Sequence, residues 1–351
     1  MLKIGIIGCG QITQVRHAPE YSENPACRIM GWYDVKPENA QAMADQYGGK
    51  VMPSVQALLD MGLDAVSVCV ANRAHAEVTI AALNAGCHVL CEKPMATTLE
   101  ECEAMLAASR KAGKRLMLGH NQRLAPAHVE ARRLIETGEL GRPLAFHTTF
   151  AHPGPEGWTG LRDSWFFHRN QAAFGVLADL GIHKTDLIHY LLGERIVKVS
   201  AMMGAVHKTY PDGRPVDVDD NAICLYQLHS GAMGHMHVSW TNYGVEENST
   251  RLYFEKGVMR LMDDPEYALI VERGSNDATR LKLGGLTSNE DQTSGKRENT
   301  GVIDAFVNGV QTGAPTVLDA EETIAAMRVV FQAIESARRG ITLPVEHPKA
   351  L

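Results

Sequence analysis

Apolar residues in the first third of the chain fall into short unbroken runs: KIGIIG, RIMGWYD, DAVSVCVA, HVLCEKP and RLMLGHN. Between them, helical spacing appears at about 11–23, 37–47, 75–86 and 99–112. Short apolar runs suit strands covered on both faces. Their alternation with helices predicts a parallel sheet with crossover helices, a doubly wound α/β domain. After a further helix at about 126–137 the rhythm changes. PLAFHTTF at 143 leads into one long helical block at 175–192, followed by IVKVSAMMGAV, DNAICLYQL, AMGHMHVSW, STRLYFE, GVMRLM and YALIVER. Connectors such as HSG and EKG are hairpin-sized, so the second part reads as an α/β domain on a large open, mostly antiparallel sheet of about six strands. The polar stretch LTSNEDQTSGKRENT at 286–300 reads as a surface loop. Helices at about 301–312 and 319–339 close the chain. The expected division is 1–123 and 124–351, with the closing helices packing back on the first domain.

The helical block GVLADLGIHKTDLIHYLLG is interrupted by Asp179, His183 and Asp186. They fall at i, i+4 and i+7 and therefore share one stripe of an otherwise apolar helix.

A length of 351 residues suits two cores rather than one. Net charge is 34 − 41 = −7 with histidines neutral, and no basic stripe forms, which argues against a nucleic-acid partner. No apolar run reaches membrane-spanning length, so no membrane partner is expected. The seven cysteines (9, 27, 69, 87, 91, 102 and 224) include no CxxC pair and several lie in apolar runs, which reads as buried thiols in a reducing compartment. MLKIGIIGCG enters a strand at once, with no room for a signal peptide. The expectation is a cytoplasmic protein.

GCGQIT at 8–13 follows the first strand and opens a helix. Gly8 permits a tight turn, Gly10 lets a phosphate approach the backbone, and the helix N-terminus supplies N–H donors. Thr13 stands where a third glycine is usual. Asp34 ends the second strand, 24 residues after Gly10, where a carboxylate accepts hydrogen bonds from an adenosine ribose. This favours NAD, while the nearby Lys36 leaves NADP open.

Taken together, GCGQIT, VANRAH at 70–75, AGCHVLCEKP at 85–94, GHNQR at 119–123 and DLGIHKTD at 179–186 resemble the Gfo/Idh/MocA family, the group of glucose-fructose oxidoreductase and inositol dehydrogenase. The resemblance implies a Rossmann nucleotide-binding domain followed by an α/β domain whose sheet mediates homodimer or homotetramer contacts. It implies a nicotinamide cofactor held by Gly8, Gly10, Gln11, Ile12, Asp34, Asn72, His75, Glu92 and Lys93. Lys93 is then the lysine of the active centre, with Asp179 and His183 meeting the substrate hydroxyl and Asn121 nearby. VAN replaces the family's usual TPN, His120 replaces its usual aromatic, and QAAFGVL keeps only part of its glycine run.

Oxidation of a secondary alcohol requires a base for the hydroxyl proton and a nicotinamide within reach of the carbon. His183 is the natural base, and Lys93 can donate to the alcohol oxygen and stabilise developing alkoxide charge. Asp179 would orient Lys93 or bind a second hydroxyl, and Asp186 is read as a structural anchor. Trp165, His168 and Arg169 in SWFFHRN are candidate substrate contacts, with Tyr243 a further one. His235 and His237 share a strand face without a third ligand at suitable spacing, so no metal is expected. The leading expectation is an NAD(P)-dependent dehydrogenase for a sugar, polyol or inositol, working in either direction. The alternatives are a glycosidase using transient oxidation, and a non-catalytic sensor.

Overall fold

The computed structural model describes residues 1–284, 286 and 299–348. The polar segment read above as a loop falls almost wholly outside them. The chain forms two compact units. The first gathers Met1–Asn121 with Asn170–Ala172 and the described residues from 299 to Ile324, and the second gathers the rest.

In the first unit, β1 (Leu2–Ile7), β2 (Cys27–Tyr33), β3 (Lys50–Val51), β4 (Ala65–Val68), β5 (His88–Cys91) and β6 (Leu116–Leu118) form a six-stranded sheet, ordered β3-β2-β1-β4-β5-β6. Every pairing is parallel. The runs are unbroken because helices cover both faces, and β4 and β6 are buried at every position. Strand order reverses between β1 and β4, which opens a crevice at the carboxyl ends of these strands. The helix Leu99–Ala112 shows how local signals fix boundaries. Thr98 and Glu101 form a reciprocal capping box at its start, and Gly113, with φ of 61°, ends it.

The second unit holds a nine-stranded sheet, larger than the six strands expected. Its strands are β7 (Pro143–Ala151), β8 (Ile196–Gly204), β9 (Asn221–Leu228), β10 (Met233–Ser239), β11 (Thr250–Phe254), β12 (Gly257–Leu261), β13 (Leu269–Glu272), β14 (Ala278–Leu281) and β15 (Leu343–Pro344), ordered β14-β13-β12-β11-β7-β10-β9-β8-β15. All pairings are antiparallel except β7 with β10. The exception follows from chain direction: residues 152–195, with their helix, cross over from β7 to β8, and the hairpins β8-β9-β10 then fill the strip between them. Burial alternates along β9, with Ala222, Cys224, Tyr226 and Leu228 inward and Ile223 and Leu225 outward. All seven cysteines are free and buried. No helix among the described residues is long and apolar enough to cross a membrane.

The helix Ile182–Leu192 is buried along nearly its whole length and includes Lys184. The Lys184 ammonium lies 3.4 Å from the Thr250 hydroxyl and 5.9 Å from the centre of the Phe150 ring. Burial pushes this ammonium down from its ordinary 10.5 to about 7, against the opposing pull of Glu247 and Glu246. Between those two values the unfolded chain holds a proton that the folded chain has released, so stability climbs with pH across that window. Below pH 7 the folded protein carries the charge at full cost. Lys184→Met should therefore stabilise the fold by ~1–4 kcal/mol near neutrality. The gain should shrink as pH rises towards 10. Calorimetric melting at pH 6.5 and 9.5 checks this, and equal gains at both would show that the charge does not matter.

Candidate active site

In the first unit, the glycine turn after β1 is shaped by contact and by charge. Gly8 has a φ of 94°, and a Cβ there would sit 2.3 Å from the Cys69 carbonyl oxygen. No side chain but glycine's fits. A Cβ on Gly10 would meet nothing within 4 Å, which leaves an open cradle beside the half-buried Gln11 and Ile12. Thr13 takes over the bracing role of the missing third glycine, its hydroxyl donating to the Gly8 carbonyl at 2.6 Å. The helix that follows contains a π-helical turn, Thr13–His17.

Asp34 stands at the end of β2. Its Oδ2 accepts from the Cys9 N–H at 2.7 Å and its Oδ1 from the Lys36 N–H at 2.8 Å. Oδ1 also has the Asn39 side-chain amide at a long 3.5 Å, while Oδ2 keeps a further lone pair, so a ribose hydroxyl can donate to the carboxylate, whereas a 2′-phosphate would face the same charge. The open cradle at Gly10 and the fixed carboxylate fit NAD.

The turn after β5 carries Glu92 and Lys93, with a cis peptide between Lys93 and Pro94. Glu92 is buried. Its Oε1 accepts from His17 Nε2 at 2.9 Å with Arg16 at 3.8 Å, and its Oε2 accepts from the Lys93 N–H at 3.2 Å. Gly119 in GHNQR leaves room for it, because a Cβ there would come within 2.9 Å of Oε1. Burial would raise the Glu92 carboxyl, but His17, then Arg16 and Lys93, bring it down to about 2. His75 Nδ1 lies 2.7 Å from the Pro94 carbonyl and its Nε2 3.1 Å from the Val70 carbonyl, so the ring braces the 70–75 loop against the lysine turn. Burial lowers its affinity for a proton. The Asn72 side-chain amide donates to the Ala172 carbonyl at 3.0 Å, and Asn121 lies half-buried in a turn after β6. Thus Gly8, Gly10, Gln11, Ile12, Asp34, Glu92 and Lys93 gather at the carboxyl edge of one sheet, while Asn72 and His75 bond to neighbouring backbone.

In the second unit, Asp219 fixes the start of the helix that carries the polar stripe. Its carboxylate accepts the Gly175 and Leu177 N–H groups, each at 2.8 Å. A Cβ on Gly175 would lie 1.9 Å from the Asp219 carbonyl oxygen, so this glycine of QAAFGVL is obligatory. The block is not a uniform α-helix: Leu177–Gly181 is a second π-helical turn, and the α-helix runs Ile182–Leu192. Asp179 lies in that turn, its Oδ2 accepting from Trp240 Nε1 at 3.3 Å. His183 follows at the start of the α-helix, its ring centre 6.0 Å from that of Phe150. Asp186 is bound by both Nε and Nη2 of Arg123, each at 2.7 Å, and both side chains are buried.

Trp165 stacks on Phe166 with ring centres 4.0 Å apart, and Phe166 and Phe167 meet the Trp240 ring edge-on. These aromatics therefore wall the side of Asp179. His168 Nε2 lies 2.6 Å from Asp163 Oδ1. Arg169 donates to the Asp217 carbonyl, and the Tyr243 hydroxyl accepts from Lys208 Nζ at 3.1 Å. His235 sits against His147 with ring centres 4.3 Å apart, and His237 lies further along the same strand. Sequence reasoning missed Asp219, Arg123 and His17. The paired aspartates before β9 and the arginine of GHNQR were the available signals.

The description "Oxidoreductase family, NAD-binding Rossmann fold" matches residues 2–120, and "GFO/IDH/MocA C-terminal domain" matches residues 128–260. D-glucoside 3-dehydrogenase of Escherichia coli is 28% identical over 356 residues, covering 97% of this chain and 96% of that protein. The 1,5-anhydro-D-fructose reductase of Ensifer adhaerens is 33% identical over 219 residues, covering 61% of this chain and 62%, less than two thirds, of its own length. The crystal structure of aldose-aldose oxidoreductase from Caulobacter crescentus, complexed with glycerol, superposes with a TM-score of 0.81 at 26% identity, covering 98% of this chain and 99% of that one. With the glycine turn, Asp34, the Glu92-Lys93 turn and both matched domains in place, this chain belongs to the Gfo/Idh/MocA family of oxidoreductases.

Proposed function

We propose that the protein is an NAD-dependent dehydrogenase acting on a secondary hydroxyl of a sugar, sugar derivative, polyol or inositol. The observation that carries this reading is the placement of Lys93 at the carboxyl edge of the sheet that also bears the Gly8–Gly10 turn and Asp34. The similar proteins named above are a glucoside dehydrogenase, an anhydrofructose reductase and an aldose oxidoreductase. Bound NAD supplies the acceptor for the hydride leaving the carbinol carbon. Lys93 donates a hydrogen bond to the hydroxyl oxygen and stabilises the charge that develops there. His183 takes the hydroxyl proton, and Asp179 orients Lys93 or holds a second hydroxyl. Trp165 offers an aromatic face to sugar C–H groups, with His168, Arg169, Asn121 and Tyr243 as polar contacts.

A nicotinamide-absorbance screen of inositols, aldoses, glucosides and anhydro sugars, with NAD and NADP, tests the reading. Turnover with NAD supports it. Cleavage of glycosides without net nicotinamide reduction would replace it with a hydrolase, and binding without either reaction would leave a sensor. The buried free thiols suit a cytoplasmic location.

We also infer that the nine-stranded sheet pairs with a second copy of the chain. Its outward face carries Met202 (80% exposed), Met233 (63%), Leu225 (58%) and Ile223 (52%) on the neighbouring strands β8, β9 and β10. Four large apolar side chains on one open sheet face favour burial against another such face. Leu225→Arg should shift light-scattering mass from dimer or tetramer towards monomer. A monomeric parent protein would refute the inference.

A further inference from the structure

His17 is fully buried in the π-helical turn Thr13–His17 and lies at the centre of a continuous polar chain. The Tyr21 hydroxyl meets Ser67 Oγ at 2.8 Å, Ser67 Oγ meets His17 Nδ1 at 3.2 Å, and His17 Nε2 meets Glu92 Oε1 at 2.9 Å. Glu92 Oε2 in turn accepts the Lys93 N–H. Burial disfavours the imidazolium, but Cys69 and Glu92 beside it outweigh burial and hold it up at about 10. With Glu92 at about 2, the pair is charged throughout the neutral range. The charged and titratable groups around the pair are Arg16, Tyr21, Cys69, His75, Cys91 and Lys93. Stability alone is a poor reason for this arrangement, since apolar residues of similar size fill such a site at least as well. π-helical turns, moreover, are frequent at functional sites.

We propose that His17 is a positioning residue for Lys93. It fixes the Glu92 carboxylate against the lysine backbone and neutralises it, so that the carboxylate does not hold the lysine ammonium away from the substrate hydroxyl. The inference rests on the role given to Lys93 above.

The test uses the full-length protein with NAD and the best substrate of the screen. His17→Gln and His17→Asn both remove the positive charge. Each should lower kcat by about ten- to a hundred-fold through misplacement of the lysine. Each should also move the alkaline limb of kcat/KM up by about one pH unit, because the carboxylate, left with Arg16 as its other cation, then draws the ammonium more strongly. NAD affinity should fall by less than kcat, since the glycine turn and Asp34 keep their contacts even where Glu92 and Lys93 shift. Adding Glu92→Gln to His17→Gln should return the limb to its parental position, which a merely structural role would not do. An unmoved limb in folded variants overturns the proposal, and so does failure of both variants to fold. Lys93→Met separates the two levels. If it retains turnover, the role of Lys93 itself is wrong; if it is inactive while the limb of the His17 variants matches that of the parent, only the role of His17 falls.

Discussion

His183→Ala should lower kcat by roughly 10²–10⁴-fold, the range for loss of a positioned general base, with little change in NAD affinity. Two features direct the expectation to this residue. His183 opens the α-helix Ile182–Leu192, whose position is fixed at one end by Asp219 on Gly175 and Leu177 and further along by Arg123 on Asp186. Its ring is also held in place beside Phe150, with ring centres 6.0 Å apart. Added imidazole should restore part of the rate in His183→Ala, and the acid limb of the pH profile should flatten without it. Full activity in the variant would dismiss His183 as the base. Loss of activity without imidazole rescue and with a lowered melting temperature would mark it as structural.

Arg123→Ala should cost about 3–5 kcal/mol of stability, because it removes the guanidinium that holds the buried Asp186 carboxylate. The guanidinium makes two bonds of 2.7 Å to Asp186 and lies over the Tyr190 ring at 5.4 Å, so charge and stacking are lost together. The double variant Arg123→Met with Asp186→Leu should recover most of that loss, since neither charge then remains to be paired. Urea unfolding of the three proteins measures the difference. Equal destabilisation by the single and double variants would show that packing, rather than charge, holds this contact.

Much of the architecture was legible because its causes are local. Unbroken apolar runs marked the strands of the first sheet, and Gly8, Gly10 and Asp34 lie within one strand–helix–strand unit. The second sheet was read short. β14 and β15 are brief and partly exposed, so neither carries the alternation that marks β9. The parallel pairing of β7 with β10 joins segments far apart in sequence and leaves no trace in either. The same holds for the charges that organise the site. Asp219 reaches back 42 residues to Leu177, and Arg123 lies 63 residues before Asp186. Spacing put Asp179, His183 and Asp186 on one stripe, but only tertiary contacts assign them different neighbours.

The two π-helical turns were invisible for a different reason: a single extra residue barely disturbs an apolar pattern of period 3.6. They have a consequence for how this chain tolerates change. Within Leu177–Gly181, loss of one residue would allow the chain to close into an ordinary α-helix, with every hydrogen-bonded turn complete. Nothing in the composition of the site would then be missing. Yet the residues before the deletion would be rotated by about 100° against those after it, and the bonds of Leu177 to Asp219 and of Asp179 to Trp240 could not both be kept. At this position a deletion would keep the helix but turn buried side chains out of their places, so the extra residue sets the register between the anchored start of the helix and the stripe that follows.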